Sequence, residues 1–168
     1  MNTHKTIRPT TGLIKKSLFD ILGDISGISF LDLFAGLGKV GIEALKRNAR
    51  SVVFVEKDIR CINKIKGELL KIKKTNYEIF IADVFKTIKR LKQERRIFDI
   101  IFLDPPYYRD IAKKTLKTLS FYDILAPQGF IIIQHSKKEN LPDSLGDLIL
   151  FRQNRYSETL LSFYQKKI

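Results

Sequence analysis

The tetrad Asp104-Pro105-Pro106-Tyr107 directly follows the apolar run Ile100-Ile101-Phe102-Leu103. Two successive prolines fix their own φ and push the residue before each toward an extended conformation, so Asp104 and the Pro105 carbonyl project as a stiff pair of acceptors. Two fixed acceptors suit a planar amino group with its N–H donors, and Tyr107 offers a face on which a flat base or amide can stack. The plainer alternative is a proline turn closing a strand, because Asp and Pro are also favoured in turns.

A second constellation lies in Asp32-Leu33-Phe34-Ala35-Gly36-Leu37-Gly38-Lys39-Val40-Gly41. Gly36, Gly38 and Gly41 satisfy G-x-G-x-x-G, and Glu56 follows at about the distance of a ribose-binding acid. Taken mechanically, that pattern spells a dinucleotide dehydrogenase. Three features oppose it: Asp32 places a carboxylate where a pyrophosphate should lie, no second domain is available for a hydride acceptor, and the tetrad is left without a role. A nucleoside cofactor that carries a cation removes the conflict. In S-adenosylmethionine the ammonium and sulfonium suit Asp32 and its loop, Glu56 accepts from the ribose hydroxyls, and Asp83 accepts from the adenine amino group. Taken singly, Glu56 and Asp83 read equally well as helix caps or surface carboxylates.

These residues need a scaffold that gathers strand ends. Apolar spacing predicts a helix over Thr11 to Leu22, strand one over Ile28 to Phe34, a helix from Val40 to Arg47, strand two over Val52 to Val55, and a helix from Ile59 to Ile72. Strand three over Tyr77 to Ile81, a helix from Val84 to Leu91 and strand four over Phe98 to Leu103 follow. Beyond the tetrad come a helix from Ile111 to Leu125, the turn Pro127-Gln128-Gly129 and strand five over Phe130 to Gln134. Asp147 to Arg152 and Glu158 to Tyr164 read as a hairpin-like end. Strand–helix alternation predicts a mostly parallel sheet covered on both faces, with ligands at the carboxyl ends of the strands.

With 168 residues and 44% hydrophobic content the chain supports one core, so a single domain over 1–168 is expected, with a short N-terminal segment 1–10 and no separate RNA-binding domain. The single cysteine, Cys61, excludes an intramolecular disulfide and a Cys-rich zinc site, and no metal is expected. His4 and His135 read as surface or strand-end residues. No apolar stretch is long enough to span a bilayer, and a cytoplasmic protein with no membrane partner is expected. The net charge of +13 points to a polyanionic partner such as nucleic acid.

Phe34-Ala35-Gly36-Leu37-Gly38, Glu56 and Asp104-Pro105-Pro106-Tyr107 resemble the motifs of class I methyltransferases that act on exocyclic amino groups. Arg8-Pro9-Thr10-Thr11, Leu18-Phe19-Asp20-Ile21-Leu22, Gly41-Ile42-Glu43-Ala44-Leu45, Val53-Phe54-Val55-Glu56-Lys57-Asp58 and Arg155-Tyr156-Ser157-Glu158-Thr159 are similar, in that order, to the RsmD-type family. Leu37 stands where that family commonly has a small hydroxyl residue, and Gln134 where it often has a glutamate. The resemblance implies a three-layer α/β/α sandwich with a mostly parallel seven-stranded sheet and an antiparallel C-terminal strand. It implies S-adenosylmethionine as cofactor, with Thr10, Asp32, Phe34, Ala35, Gly36, Gly38, Glu56, Lys57, Asp83 and Val84 around it. It also implies Asp104, Pro105, Pro106 and Tyr107 as catalytic, and methylation of guanine N2 in small-subunit ribosomal RNA, free or in an assembling subunit, by a monomer. Two rivals stay open: the same fold methylating an amino group of DNA or a protein amide, and a non-catalytic RNA-binding protein on this scaffold.

Overall fold

A computed structural model describes residues 11–168. Its elements follow the expected alternation: α1 (Thr11–Leu22), β1 (Ser29–Leu33), α2 (Lys39–Lys46), β2 (Ser51–Glu56), α3 (Ile59–Ile72), β3 (Tyr77–Ile81), α4 (Val84–Gln93), β4 (Phe98–Leu103) and α5 (Ile111–Tyr122). The chain ends in β5 (Leu125–Ser136), β6 (Ser144–Leu145), β7 (Leu148–Tyr156) and β8 (Thr159–Lys166). They form one sheet in the order β3-β2-β1-β4-β5-β8-β7-β6. The first five strands run parallel, and β8, β7 and β6 add as antiparallel neighbours.

Among the described residues the sheet has eight strands, where seven were expected, and three of its pairings are antiparallel. The additional strand, β6, is two residues long, too short to carry a period of two; it turns back onto β7 through Gly146 at φ 57. The expected turn at Pro127-Gln128-Gly129 lies inside β5. From Phe98↔Leu125 to Ile100↔Phe130, β4 advances by two residues while β5 advances by five, so this stretch is a bulge. Gly129 is needed there, since a Cβ would stand 2.7 Å from the Asp99 carbonyl oxygen. The helix before it stops at Tyr122, three residues early, because Asp123 turns left-handed at φ 46.

Side-chain alternation along the strands separates two cores. Phe30, Val52, Phe54, Ile100, Phe102 and Ile132 pack with α1, α2 and α3 on one face. Leu31, Val53, Val55, Ile101, Leu103 and Ile133 pack with α4 and α5 on the other. The sheet order reverses between β1, whose chain proceeds to β2 on one side, and β4, which lies on its other side. Open α/β sheets bind ligands in the crevice at such a reversal, outside the strands' carboxyl ends.

Candidate active site

Even-numbered residues of β1, β2 and β4 face α1–α3, and this parity places Asp32, Glu56 and Asp104 on one side of the sheet. The registers Leu33↔Val55 and Leu33↔Leu103 align the ends of these three strands. A cavity of about 490 Å³ opens there, lined by Asp32, Glu56, Asp83, Asp104 and the loop that follows β1. That size lies within the range of small-molecule sites.

The loop after β1 is shaped by its backbone. Phe34 and Gly36 have φ of 57 and 55, and the Ala35 N–H reaches across to the Val55 carbonyl at 3.0 Å. Left-handed conformation costs a non-glycine residue about 1–2 kcal/mol, so Phe34 is held there by its surroundings. The Gly38 N–H closes the turn on the Ala35 carbonyl at 2.8 Å. Phe34, Ala35 and Gly36 line the cavity. Gly38 does not: it is the N-cap of α2, at φ 72, where a Cβ would lie 2.8 Å from Ile65. Gly41 is also a packing glycine, since a Cβ would meet Phe54 at 2.4 Å and the Asp32 carboxylate at 3.0 Å.

Asp32 is 2% exposed and accepts the Gly41 N–H at 3.0 Å. Burial drives its pKa from the ordinary 3.8 to about 8; the Gly41 hydrogen bond opposes the rise, and the charges of Asp104 and Glu56 add to it. This corrects the electrostatic reading of the sequence. With no cation beside it, Asp32 is largely neutral at pH 7, so it offers a pyrophosphate little repulsion. A cation in the cavity favours its ionised form.

Glu56 is occupied by its own backbone. One carboxylate oxygen accepts the Gly36 N–H at 2.8 Å, and the other accepts those of Lys57 and Asp58 at 2.8 and 2.9 Å. It therefore ties the glycine loop to the end of β2 and still faces the cavity. Asp83 caps α4 by accepting the Lys86 N–H at 3.0 Å, so the capping role read for it singly holds alongside its place in the cavity wall. Lys57 and Val84 line the cavity as well. Thr10 lies outside the described residues.

The tetrad divides by position. Asp104 and Pro106 line the cavity, whereas Pro105 is buried beneath the loop. Tyr107 is half-buried, its hydroxyl 3.3 Å from the Thr159 hydroxyl at the start of β8. The Tyr108 N–H then bonds to the Pro106 carbonyl at 2.9 Å, and Arg109 and Asp110 both have positive φ before α5 begins. The tetrad thus sits between the cavity and the β7–β8 hairpin, on a backbone held by strain and by contact with β8.

Several cavity residues lay outside the candidate set: Lys15 and Leu18 of α1, Leu37, Phe102 and Gln134. Parity identifies two of them, because Phe102 and Gln134 share the face of Asp104. His135 is at a strand end but is buried, not on the surface. Its Nδ1 faces the Ser136 carbonyl at 3.0 Å and its Nε2 faces the Ser162 hydroxyl at 2.7 Å, and burial lowers its pKa. Cys61 is partly buried on α3, and burial raises its thiol pKa, in keeping with a packing residue.

Known proteins share this architecture and sequence. Residues 1–165 match the family model described as Conserved hypothetical protein 95. YlbH of Bacillus subtilis is 35% identical over 162 residues, 95% of this chain and 88% of that protein. Ribosomal RNA small subunit methyltransferase D of Buchnera aphidicola subsp. Acyrthosiphon pisum is 33% identical over 136 residues, 80% of this chain and 70% of that one. A solved Streptococcus pyogenes conserved hypothetical protein superposes with a TM-score of 0.83 at 26% identity, covering 91% of this chain and 95% of that chain. The chain belongs to the Conserved hypothetical protein 95 family and is of the RsmD type that its ordered motifs indicate.

Proposed function

We propose that this chain transfers the methyl group of S-adenosylmethionine to the exocyclic N2 amino group of a guanine in small-subunit ribosomal RNA. The observation that carries the reading is that Asp104 and Pro106 share one cavity with Asp32, Glu56, Asp83 and the glycine loop. A methyl donor and an amino acceptor are thereby given adjoining places. The donor set fits a cationic nucleoside: Asp32 gains ionisation when a cation binds, Glu56 and Asp83 are acceptors for ribose and adenine, and the backbone at Ala35 and Gly36 allows close approach.

When bound, S-adenosylmethionine supplies an electrophilic methyl on a sulfonium. The amino nitrogen of guanine is a poor nucleophile because its lone pair is delocalised into the ring. Asp104 and the Pro105 carbonyl hold the N–H groups so that the lone pair faces the methyl carbon. As the C–N bond forms and the S–C bond breaks, positive charge grows on nitrogen, and the Asp104 carboxylate stabilises it more strongly than in the ground state. The nitrogen then passes one proton to the Asp104 carboxylate that holds its N–H groups. Tyr107 stacks on a base taken out of its helix or loop, and alignment of the two reactants supplies much of the remaining acceleration.

We read residues 1–168 as one catalytic domain working as a monomer in the cytoplasm on ribosomal RNA or an assembling subunit. No helix among the described residues is long and apolar enough to cross a membrane. The test is transfer from labelled cofactor to small subunits taken from cells lacking the modification, with the product identified as the nucleoside. N2-methylguanosine is expected, and Asp104→Ala should lower turnover at least about 10²-fold, on the scale seen when one transition-state contact is removed, while cofactor still binds. Methylated adenine or protein in place of guanine sinks the substrate, and full activity in Asp104→Ala sinks the mechanism.

A further inference from the structure

Gln134 is a polar residue near the end of β5 that lines the cavity and that the mechanism above leaves unused. It is 8% exposed and lines the same cavity as Asp104 and Pro106. Its direction in the fold is also fixed. The register Leu103↔Ile133 sets Asp104 and Gln134 side by side one residue further on, and both follow the parity that faces the cavity.

The sheet order says which ligand the amide meets. Asp32 and Glu56 lie on β1 and β2, on one side of β4, whereas Gln134 lies on β5, on the other side. Strands are about 4.8 Å apart, so β5 stands roughly 10 Å from β1, with the tetrad between them. Gln134 is therefore placed on the acceptor side of the tetrad, away from the groups that suit the cofactor.

We propose that Gln134 reads the substrate base, its amide oxygen accepting the N1–H of guanine and its amide nitrogen donating to O6. The inference rests on the guanine reading above. On the edge of guanine the amino group, N1–H and O6 follow one another as donor, donor, acceptor. With the amino group held by Asp104 and the Pro105 carbonyl, the next two positions fall to the neighbouring strand. A primary amide presents one acceptor and one donor side by side, the complement of that pair. Gln134 acts as a specificity residue that also fixes the base in its plane; the methyl transfer itself does not pass through it.

The test compares Gln134→Met, which keeps the volume and removes both hydrogen-bonding groups, with Gln134→Glu, which keeps an acceptor for N1–H and loses the donor to O6. Each is assayed on undermethylated small subunits for kcat/KM and by calorimetry for affinity to S-adenosylhomocysteine. A bidentate base contact is worth about 1–3 kcal/mol, so kcat/KM is expected to fall roughly 10- to 100-fold in Gln134→Met and less in Gln134→Glu, with cofactor affinity within about twofold throughout. A purely structural role predicts the reverse order, because the apolar variant suits a buried strand end better than a carboxylate does. Unchanged activity in Gln134→Met, a Gln134→Glu defect deeper than that of Gln134→Met, or a parallel loss of cofactor affinity overturns the inference. A parent enzyme that makes no N2-methylguanosine overturns the substrate reading itself, and the base contact with it.

Discussion

Asp32 couples the fold to ligand charge, and the sign of that coupling can be worked out. Its pKa is raised by burial from 3.8 to about 8. A carboxyl group with a raised folded pKa contributes stability that is complete below its unfolded value and is lost as pH rises through about 8. A cationic ligand beside it favours the ionised form, so binding releases a proton across the same window. At pH 7, S-adenosylmethionine binding should release roughly one proton more from the parent protein than from Asp32→Asn. Calorimetry in buffers of different ionisation heat reads this directly. The cofactor's own amino group titrates near pH 8 and contributes to both proteins, so the difference isolates Asp32. Equal proton release from the two would remove Asp32 from the cation site. The residues around it were legible to different depths. The carboxylates of Asp32, Glu56, Asp83 and Asp104 could be gathered from sequence because each stands at or just past a strand end. The local duties of Glu56 and Asp83 emerge only in the folded chain, since a carboxylate that anchors a loop or caps a helix has the same spacing as one that binds a ribose. Gln134 carries no charge and belongs to no turn motif; its place where the family often has a glutamate marks the position in sequence, and the parity of β5 turns it toward the cavity.

At the scale of elements, the glycines separate into those that position α2 and those that do not. Gly41 lies within α2 and against β2, where a Cβ would stand 2.4 Å from the Phe54 ring and 3.0 Å from the Asp32 carboxylate. Phe54 is fully buried and cannot retreat freely. Gly41→Ala is therefore expected to destabilise by about 1–3 kcal/mol and to weaken cofactor binding, because the helix that donates to Asp32 is pushed from the sheet. Gly67 is the opposite case: it sits on the exposed face of α3, where an added Cβ would have nothing within 4 Å among the described residues. Gly67→Ala should stabilise by about 0.5–1 kcal/mol through helix propensity alone. Thermal unfolding of the two variants checks both signs, and similar shifts would show that the glycine-loop packing has no special hold on α2. The elements themselves were legible wherever a full period fitted: α1, α3, β3 and β4 begin and end where their apolar spacing places them. The two-residue β6 offered no period. The bulge in β5 presented Pro127-Gln128-Gly129, the composition of a turn, and the pairing with β4 that makes it part of a strand is non-local.

For the whole molecule, the excess of 31 Lys and Arg over 18 Asp and Glu has a distribution as well as a magnitude. Some of the basic residues are paired locally, Arg47 with Glu43, Arg90 with Glu94, Arg96 with Glu78 and Lys137 with Glu158, but pairing leaves the excess of 13 in place. Exposed pairs of this kind contribute little to stability, on the order of 0–1 kcal/mol each, and leave the net field of the protein unchanged. That field acts at long range on a polyanion and only weakly on a cofactor that is small and enclosed. The two ligands should therefore respond differently to salt. If the chain neutralises about six phosphates, RNA or subunit affinity should fall by on the order of 10³-fold between roughly 50 and 200 mM salt, log-linearly in salt concentration. Affinity for S-adenosylhomocysteine should change by less than about twofold over the same range, because the buried groups that meet it are poorly screened. Fluorescence titration of labelled RNA and calorimetry of the cofactor product, run in the same buffers, measure both slopes. A shallow RNA slope, near one phosphate, would mean that the basic residues are solvated surface and that recognition rests on the tetrad and its cavity alone. A steep slope assigns them to the nucleic-acid backbone and leaves the tetrad and Gln134 to choose the base.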